Sequence, residues 1–373
     1  MLKNLNLRRD YTLLIFPILL SIFGMSTVFS LGTNNAIFIK QLVLFIVGFS
    51  IAVSISFFDF RFLRQGYFVF FYYCFSVFLL FLLVILGHTI NGAQSWFKIF
   101  GISIQPVEFA KLALIGVLAK FFYKRHGDVA YLPTLIFSSF YALVIFILTI
   151  FQPDLGSGLV VLGIWGIIVF VSGIPKKYIA GIFALLVGIS LLSWNIFLQP
   201  YQKARILNFV DTTRDIRGSG YNVYQSVIAV GSGGLYGKGI NFGTQSKLQF
   251  LPEYETDFIF AAFAEEWGFI GVMLCLASFL FLILKILSLS LKTETDFELL
   301  FLIGSAGYFI IHFCVNIGMN IGILPVTGIP LPFMSSGGSH VLVEWTMIGL
   351  IISFTKNSRR LKKEIKSKEV FAF

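Results

Sequence analysis

This sequence carries little charge. Only 12% of its 373 residues are Asp, Glu, Lys or Arg, whereas 57% are hydrophobic and the mean hydropathy is +0.88. A soluble domain of that length could not hide so much apolar surface, so a soluble globular fold is excluded. Cysteine is nearly absent. Cys74, Cys275 and Cys314 all fall inside apolar runs, which leaves no disulfide framework and no thiolate metal spacing. The four histidines, His88, His126, His312 and His340, are too scattered for a zinc centre. No Gly-x-Ser-x-Gly nucleophile elbow occurs. The stretch Ser232-Gly233-Gly234-Leu235-Tyr236-Gly237-Lys238-Gly239 lacks the first glycine and the closing Ser or Thr of a phosphate loop. The first apolar run, 11–31, is too long for a signal-peptide core and lacks a small-residue cleavage site. No internal repeat is visible.

What remains is a chain of long apolar runs. A membrane span needs about 20 mostly apolar residues. Ten candidates occur, at 11–31, 37–57, 67–87, 104–123, 133–151, 155–173, 177–198, 257–284, 297–320 and 337–355. Backbone groups in lipid must pair within their own segment, so these are helices. The expected fold is an all-α polytopic membrane protein with about ten transmembrane helices, one integral membrane domain over 1–373. The 45 Phe read as lipid-facing or helix-packing bulk.

The net charge of +10 lies at span ends, which fits membrane topology rather than nucleic-acid binding. Lys3, Arg8 and Arg9, then Arg61 and Arg64, then Lys120, Lys124 and Arg125, then Lys176 and Lys177, then Lys285 and Lys292 all fall on one side. The tail from Lys356 to Lys368 adds seven more. The opposite short loops carry Lys40 and Lys98. Both termini are therefore expected on the cytoplasmic face. The tail, 356–373, reads as a basic segment held by anionic headgroups. Residues 199–256 form a long extracytoplasmic loop that is polar, glycine-rich and basic, and such loops are usually functional. Within it, Tyr221–Val230 is expected to form an amphipathic helix lying on the membrane. A second irregular region, Leu324–Gly338, holds three prolines and three glycines. Non-helical backbone near membrane depth must be buried in protein or line a wet cavity.

The candidate site residues are the few ionisable groups at outer span ends. Asp257 stands at the mouth of the eighth span. It reads either as a tuned carboxylate able to act as general base or as part of a helix N-cap shared with Thr256. Glu108 and Lys111, three apart, share one helix face. They read as a neutralising structural pair or as a lysine holding an anion with Glu108 keeping it charged. Glu265 and Glu266 point about 80° and 180° from Asp257, so they cannot both face one groove, and one packs on a neighbouring helix. Asp154 is expected to cap the sixth helix. Trp96 reads as an interfacial anchor or a substrate contact.

Taken in order, several segments resemble the SEDS family of cell-wall proteins, the group containing RodA and FtsW. They are Gly231-Ser232-Gly233-Gly234, Phe250-Leu251-Pro252-Glu253, Thr256-Asp257-Phe258-Ile259-Phe260, Ala264-Glu265-Glu266, Asn316-Ile317-Gly318-Met319 and Pro325-Val326-Thr327-Gly328-Ile329-Pro330-Leu331-Pro332-Phe333. Gln105-Pro106-Val107-Glu108-Phe109-Ala110-Lys111 resembles the family's fourth-helix motif, and Gly239–Gln245 is nearer to the RodA branch. The resemblance covers nearly the whole chain. The sequence departs from the family pattern at Ser335–His340, at Glu255, where histidine is frequent, and at Val107.

The resemblance implies a SEDS-type fold and an inverting peptidoglycan glycosyltransferase of the cytoplasmic membrane. Such an enzyme polymerises lipid II at the outer face for cell elongation and rod shape. Asp257 matches the family's essential carboxylate, Glu108 and Lys111 its intramembrane pair, and Trp96 its loop tryptophan. The implied partners are a class B penicillin-binding protein, the elongation machinery and membrane lipids. Asp257 is expected to take the proton of the acceptor hydroxyl, with Lys111, Arg205 and Arg217 stabilising the leaving pyrophosphate. A divalent cation, magnesium or manganese, is compatible with that chemistry, although no ligand cluster stands out. The rivals are a lipid II flippase and a non-catalytic cell-wall scaffold.

Overall fold

The computed structural model describes residues 10–31, 35–60, 62–90, 93–99, 102–125, 131–175, 177–178, 181, 203, 207, 209, 219–248, 250–251 and 253–370, with side chains given to residue 355. A short 3-10 turn, Tyr11–Leu14, leads into α1 (Ile15–Leu31). Then come α2 (Asn35–Phe57), α3 (Phe62–Gln65) and α4 (Phe68–Leu86). A small antiparallel sheet follows, β1 (His88–Ile90), β2 (Ala93–Ile99) and β3 (Ile102–Ile104), in the order β1-β2-β3. After it run α5 (Pro106–Lys124), α6 (Leu132–Phe151) and α7 (Leu155–Val171). The segment between α7 and α10, expected from the sequence on the outer face (the outer segment), holds α8 (Ser219–Ser232) and α9 (Thr244–Lys247). The chain closes with α10 (Ile259–Ser290), α11 (Asp296–Asn320) and α12 (Gly338–Val370).

Among the described residues, seven helices are long and apolar enough to cross a membrane, and α7 is a shorter apolar helix. Together with α5 they correspond to nine of the ten expected spans. The seventh, 177–198, lies almost wholly outside the described residues. The sheet is an addition to the all-helical expectation, confined to the connection before α5.

The helices sort by what surrounds them. α5 is the central post, packed against α4, α6, α7 and α11. Nearly every α5 side chain is buried, including Glu108, Lys111 and Lys120. It therefore meets protein rather than lipid, which is why it tolerates charges that the outer helices lack. Those outer helices show apolar side chains outward, such as Phe71, Phe75 and Phe81 on α4 and Phe137 and Phe140 on α6. α2 lies along α12, and α1 along α10. Small residues permit the closest approaches: a Cβ at Gly48 would meet Trp345 at 2.5 Å, and one at Gly24 would meet the Met334 backbone at 2.3 Å.

α10 is broken. Gly268 has φ 63° and ψ −167°, a conformation restricted to glycine. The glycine-rich outer segment fills the break. The amides of Lys238 and Gly239 donate to the carbonyls of Glu265 and Glu266, at 3.0 and 3.1 Å. In return, the amides of Phe269 and Ile270 donate to the carbonyls of Gly234 and Leu235, at 2.8 and 3.2 Å. The outer segment is thus stitched into an opened helical turn, leaving no room for side chains at the seam: a Cβ at Gly237 would lie 2.0 Å from Glu266 O. This accounts for the glycines that superficially resemble a phosphate loop.

Candidate active site

Asp257 lies in a turn just before α10. Glu253 adopts a left-handed φ of 50°, and its carbonyl accepts from the amides of Thr256 and Phe258, at 3.2 and 3.1 Å. The helix N-cap position is Phe258, which has no side-chain cap bond. Thr256 Oγ1 turns instead to Glu253. The first-turn amide of Ala261 donates to Asn320 Oδ1, at 3.1 Å, so α11 contributes to the cap from outside the helix. Asp257 therefore stands one residue ahead of the N-cap position.

Three successive carbonyls fix this turn. Ser336 N donates to Glu255 O at 2.8 Å, and Ser335 Oγ to Thr256 O at 2.6 Å. Asn316 Nδ2 and Asn320 Nδ2 both donate to Asp257 O, at 2.9 and 3.0 Å. Both asparagines are fully buried. Each net hydrogen bond is worth about 1 kcal/mol, but an orphaned buried partner costs about 1–3 kcal/mol, so the arrangement resists loosening.

The opposite wall is the irregular stretch before α12. Its backbone groups are satisfied by side chains from several helices. Gln41 Nε2 of α2 donates to Met334 O at 2.9 Å, and Asn316 Nδ2 of α11 to Ile329 O at 2.8 Å. His312 Nδ1 meets Pro330 O at 3.3 Å. The Phe333 amide donates to Glu344 Oε2 at 2.8 Å, and the Leu331 amide to Ser335 Oγ at 2.8 Å. This is how backbone without helical bonding persists among membrane helices.

Between these walls lies a cleft of about 530 Å³. Asp257, Trp96, Lys40, Gln105, Asp154 and Glu255 are among the residues that line it. Asp257 and Trp96 are half-buried. Gly328, with φ 73°, faces the carboxylate, and a Cβ there would stand 3.6 Å from Asp257 Oδ2. Asp154 caps α7 as expected, accepting from Ser157 N at 3.0 Å, and also accepts from Gln105 Nε2 at 3.3 Å. Burial, reinforced by Glu253, raises the Glu255 carboxyl above its ordinary pKa, although Tyr254 hydrogen-bonds to it. Tyr254 is itself pushed up to about 12 by burial and by Glu255.

Glu108 and Lys111 come together but do not line this cleft. Lys111 Nζ lies 2.7 Å from Glu108 Oε1, with each side chain 1% exposed. Tyr308 donates to Glu108 Oε2 at 3.0 Å, and Lys111 reaches His312 Nε2 at 3.3 Å. The pair is thus enclosed between α5 and α11. Arg205 and Arg217 lie outside the described residues. Among the described lining residues, Lys40 is the lysine facing the cleft, a role its position in the sequence did not suggest.

Glu265 and Glu266 both meet the outer segment. Glu265 accepts from Lys238 Nζ at 2.7 Å and from the amides of Gln245 and Ser246. Glu266 accepts from Asn241 N at 3.1 Å and from Ser30 on α1. The segment wraps around α10, so two carboxylates on different faces can hold one loop. Among the described residues, no group of three His, Cys, Asp or Glu is placed to hold a metal ion.

A family model described as the cell cycle protein FtsW/RodA/SpoVE matches residues 7–360. The chain belongs to this family. Peptidoglycan glycosyltransferase MrdB of Escherichia coli K12 is 36% identical over 282 residues, covering 75% of this chain and 75% of its own. Peptidoglycan glycosyltransferase RodA of Treponema pallidum is 29% identical, covering 94% of this chain and 98% of its own. Among solved structures, a chain described under coordination of polymerization and crosslinking by a peptidoglycan synthase complex superposes with TM-score 0.81 at 30% identity. That match covers 94% of this chain and 98% of the other. The rod shape determining protein RodA of Thermus thermophilus gives 0.69 at 28% identity, over 94% and 97%. The polytopic helical bundle is the FtsW/RodA/SpoVE fold, and the protein is a multi-pass membrane protein.

Proposed function

We propose that this chain is a peptidoglycan glycosyltransferase that polymerises lipid II for cell elongation, with Asp257 as its general base. The observation carrying this reading is Asp257 on the cleft, in a turn whose carbonyls are pinned from α11 and the pre-α12 stretch. A base fixed in this way meets the geometric demand of proton abstraction from a positioned hydroxyl. Asp257 takes the proton of the acceptor GlcNAc 4-hydroxyl as that oxygen bonds to the donor MurNAc anomeric carbon. The bond to pyrophosphate breaks on the opposite face, so configuration inverts to a β-1,4 linkage.

The leaving charge falls to Lys40 on the cleft, with the loop arginines Arg205 and Arg217 as further candidates. Trp96 offers a sugar-sized apolar face. Lys111 and Glu108 act by keeping α5 and α11 in register, not by touching lipid II. The enzyme sits in the cytoplasmic membrane with both termini cytoplasmic, the 199–256 loop outside and the basic tail inside. The peptidoglycan synthase complex in which its structural neighbour occurs supports a class B penicillin-binding protein as partner within the elongation machinery.

The test is Asp257→Asn, purified in detergent with lipid II. Loss of glycan strands, with thermal stability and lipid II binding retained, is expected. Full polymerisation by that variant refutes the assignment. A wild-type protein that moves lipid II only in sealed vesicles is a flippase, and one that does neither is a scaffold.

A further inference from the structure

Two contacts act as depth marks. At one end of the bundle, Lys285 of α10 pairs with Asp10, ahead of α1, at 3.5 Å. At the other, the Ser30 hydroxyl of α1 meets the Glu266 carboxylate of α10. Between these marks run 20 residues of the first helical segment and 19 of α10. At 1.5 Å per residue each measures about 30 Å, the thickness of a hydrocarbon core. The Glu266 level therefore marks the edge of the hydrocarbon on the cleft side.

A change in the surroundings of α10 occurs at the same level. From Ile259 to Gly268 its side chains are enclosed by protein, with Trp267 partly so, whereas Phe269, Ile270, Met273 and Leu274 are exposed. The outer segment is stitched to α10 at this edge, through Glu265, Glu266, Phe269 and Ile270. It carries its own outward apolar side chains: Leu235, Tyr236, Ile240, Phe242 and Leu248, with Tyr236 81% and Phe242 71% exposed.

Charge does not oppose insertion there. The sequence from Ser232 to Leu251 contains no Asp or Glu. Lys238 is neutralised by buried Glu265, and Lys247 Nζ folds onto the Asn241 carbonyl and side chain, each at 3.0 Å. Aromatic rings and lysines at a hydrocarbon edge form the pattern of an interfacial anchor.

We infer that residues 235–248 form a collar that rests in the outer leaflet of the bilayer, its occupant being the lipid surface. The apolar collar is continuous with the lipid-facing belt of α10 through Phe269 and Ile270, which favours lipid over a second protein. The collar also holds the turn that bears Asp257. The Leu251 amide donates to Gln245 O at 3.1 Å, and Leu251 is fully buried. The bilayer thereby anchors the outer end of α10 beside the cleft. This inference is independent of the chemistry assigned to Asp257.

The test places a nitroxide at position 242 by Phe242→Cys in the full chain, with Cys74, Cys275 and Cys314 replaced by Ala. The protein is studied in nanodiscs of phosphatidylglycerol and phosphatidylethanolamine. Labels at Phe281 and at Lys292 supply the lipid and water references. Greater collision with oxygen than with an aqueous nickel chelate, as at Phe281, is expected. A ratio like that at Lys292 overturns the proposal, because the collar then stands in water. Protection from both agents also overturns it, because protein then covers this face. Retained thermal stability of the cysteine-free parent and of the labelled chain ensures that each readout comes from folded protein.

Discussion

Replacing Lys111 with Met separates the two meanings of the intramembrane pair. The substitution keeps an unbranched side chain of similar reach but removes the ammonium. Glu108 would retain the Tyr308 hydroxyl at 3.0 Å and lose its 2.7 Å partner, inside a site only 1% exposed. Removing one member of a buried pair costs about 3–5 kcal/mol, because a charge is left without compensation. Lys111→Met is expected to lower the unfolding free energy by that amount, about 3–5 kcal/mol. Adding Glu108→Gln removes the stranded charge while leaving an acceptor for Tyr308, so the double variant should recover about 2 kcal/mol or more. The assay is denaturant unfolding of the four proteins in detergent, read as a double-mutant cycle, alongside lipid II polymerisation. Enclosure of the pair means that glycan synthesis should track the folded fraction. The reasoning is refuted if Lys111→Met unfolds like the parent, or if the double variant is no better than the lysine single. It is also refuted if the double variant folds well and makes no glycan, because Lys111 then reaches the substrate.

Asn320→Leu removes the donor to the Asp257 carbonyl and the acceptor for the Ala261 amide, at 3.0 and 3.1 Å. Asp257 O keeps Asn316 Nδ2 and the Ala261 amide keeps Phe258 O, so each lost bond costs only about 1 kcal/mol, but the turn loosens, and reduced turnover with lipid II binding retained is expected in a polymerisation assay. Gly268→Ala would force a Cβ to 2.1 Å from Gly237 N in a backbone region closed to alanine. Strain of that kind alone costs about 1–3 kcal/mol, and faster proteolysis within 233–250 should report the released collar. Glu255 has a raised pKa in the fold, so the native protein binds more protons than the unfolded chain and stability falls as pH rises through that window. Glu255→Gln should abolish this slope, gaining stability over the parent at neutral pH but not in acid, as read by thermal melts across pH.

The helices were legible because hydropathy and length suffice to define a span, and α5 was identifiable despite Glu108 and Lys111. Asp257 was legible as a charge out of place at the end of an apolar run. The partners of these groups were not. Nothing local to Glu108 announces Tyr308, 200 positions away, and nothing local to Asp257 announces Asn320. Both depend on which faces of α5, α10 and α11 meet, and the low amphipathicity of membrane helices hides those faces from a periodicity argument. Lys40 counted only as a topology charge because its helix face toward the cleft was not visible. The sheet had a signal: Asn91-Gly92 between β-branched and aromatic residues is a hairpin pattern. Without long-range pairing to mark them, its short strands pass for an ordinary connection between spans. The glycines of 231–239 have no legible purpose in the sequence, since a loop inserted into a broken helix has no sequence rule of its own.

The stretch from Leu324 to Gly337 also constrains the order of assembly. Its hydrogen bonds come from Gln41 near the beginning of the chain, from His312 and Asn316 just upstream, and from Glu344 in the last helix. A ribosome delivers those groups at widely different times, and the last arrives only when α12 inserts. Until then, this ribbon of prolines and glycines has no complete set of partners. The wall of the cleft is consequently incomplete until α12 is in place, so a precursor halted before α12 should be inserted in the bilayer yet unable to make glycan.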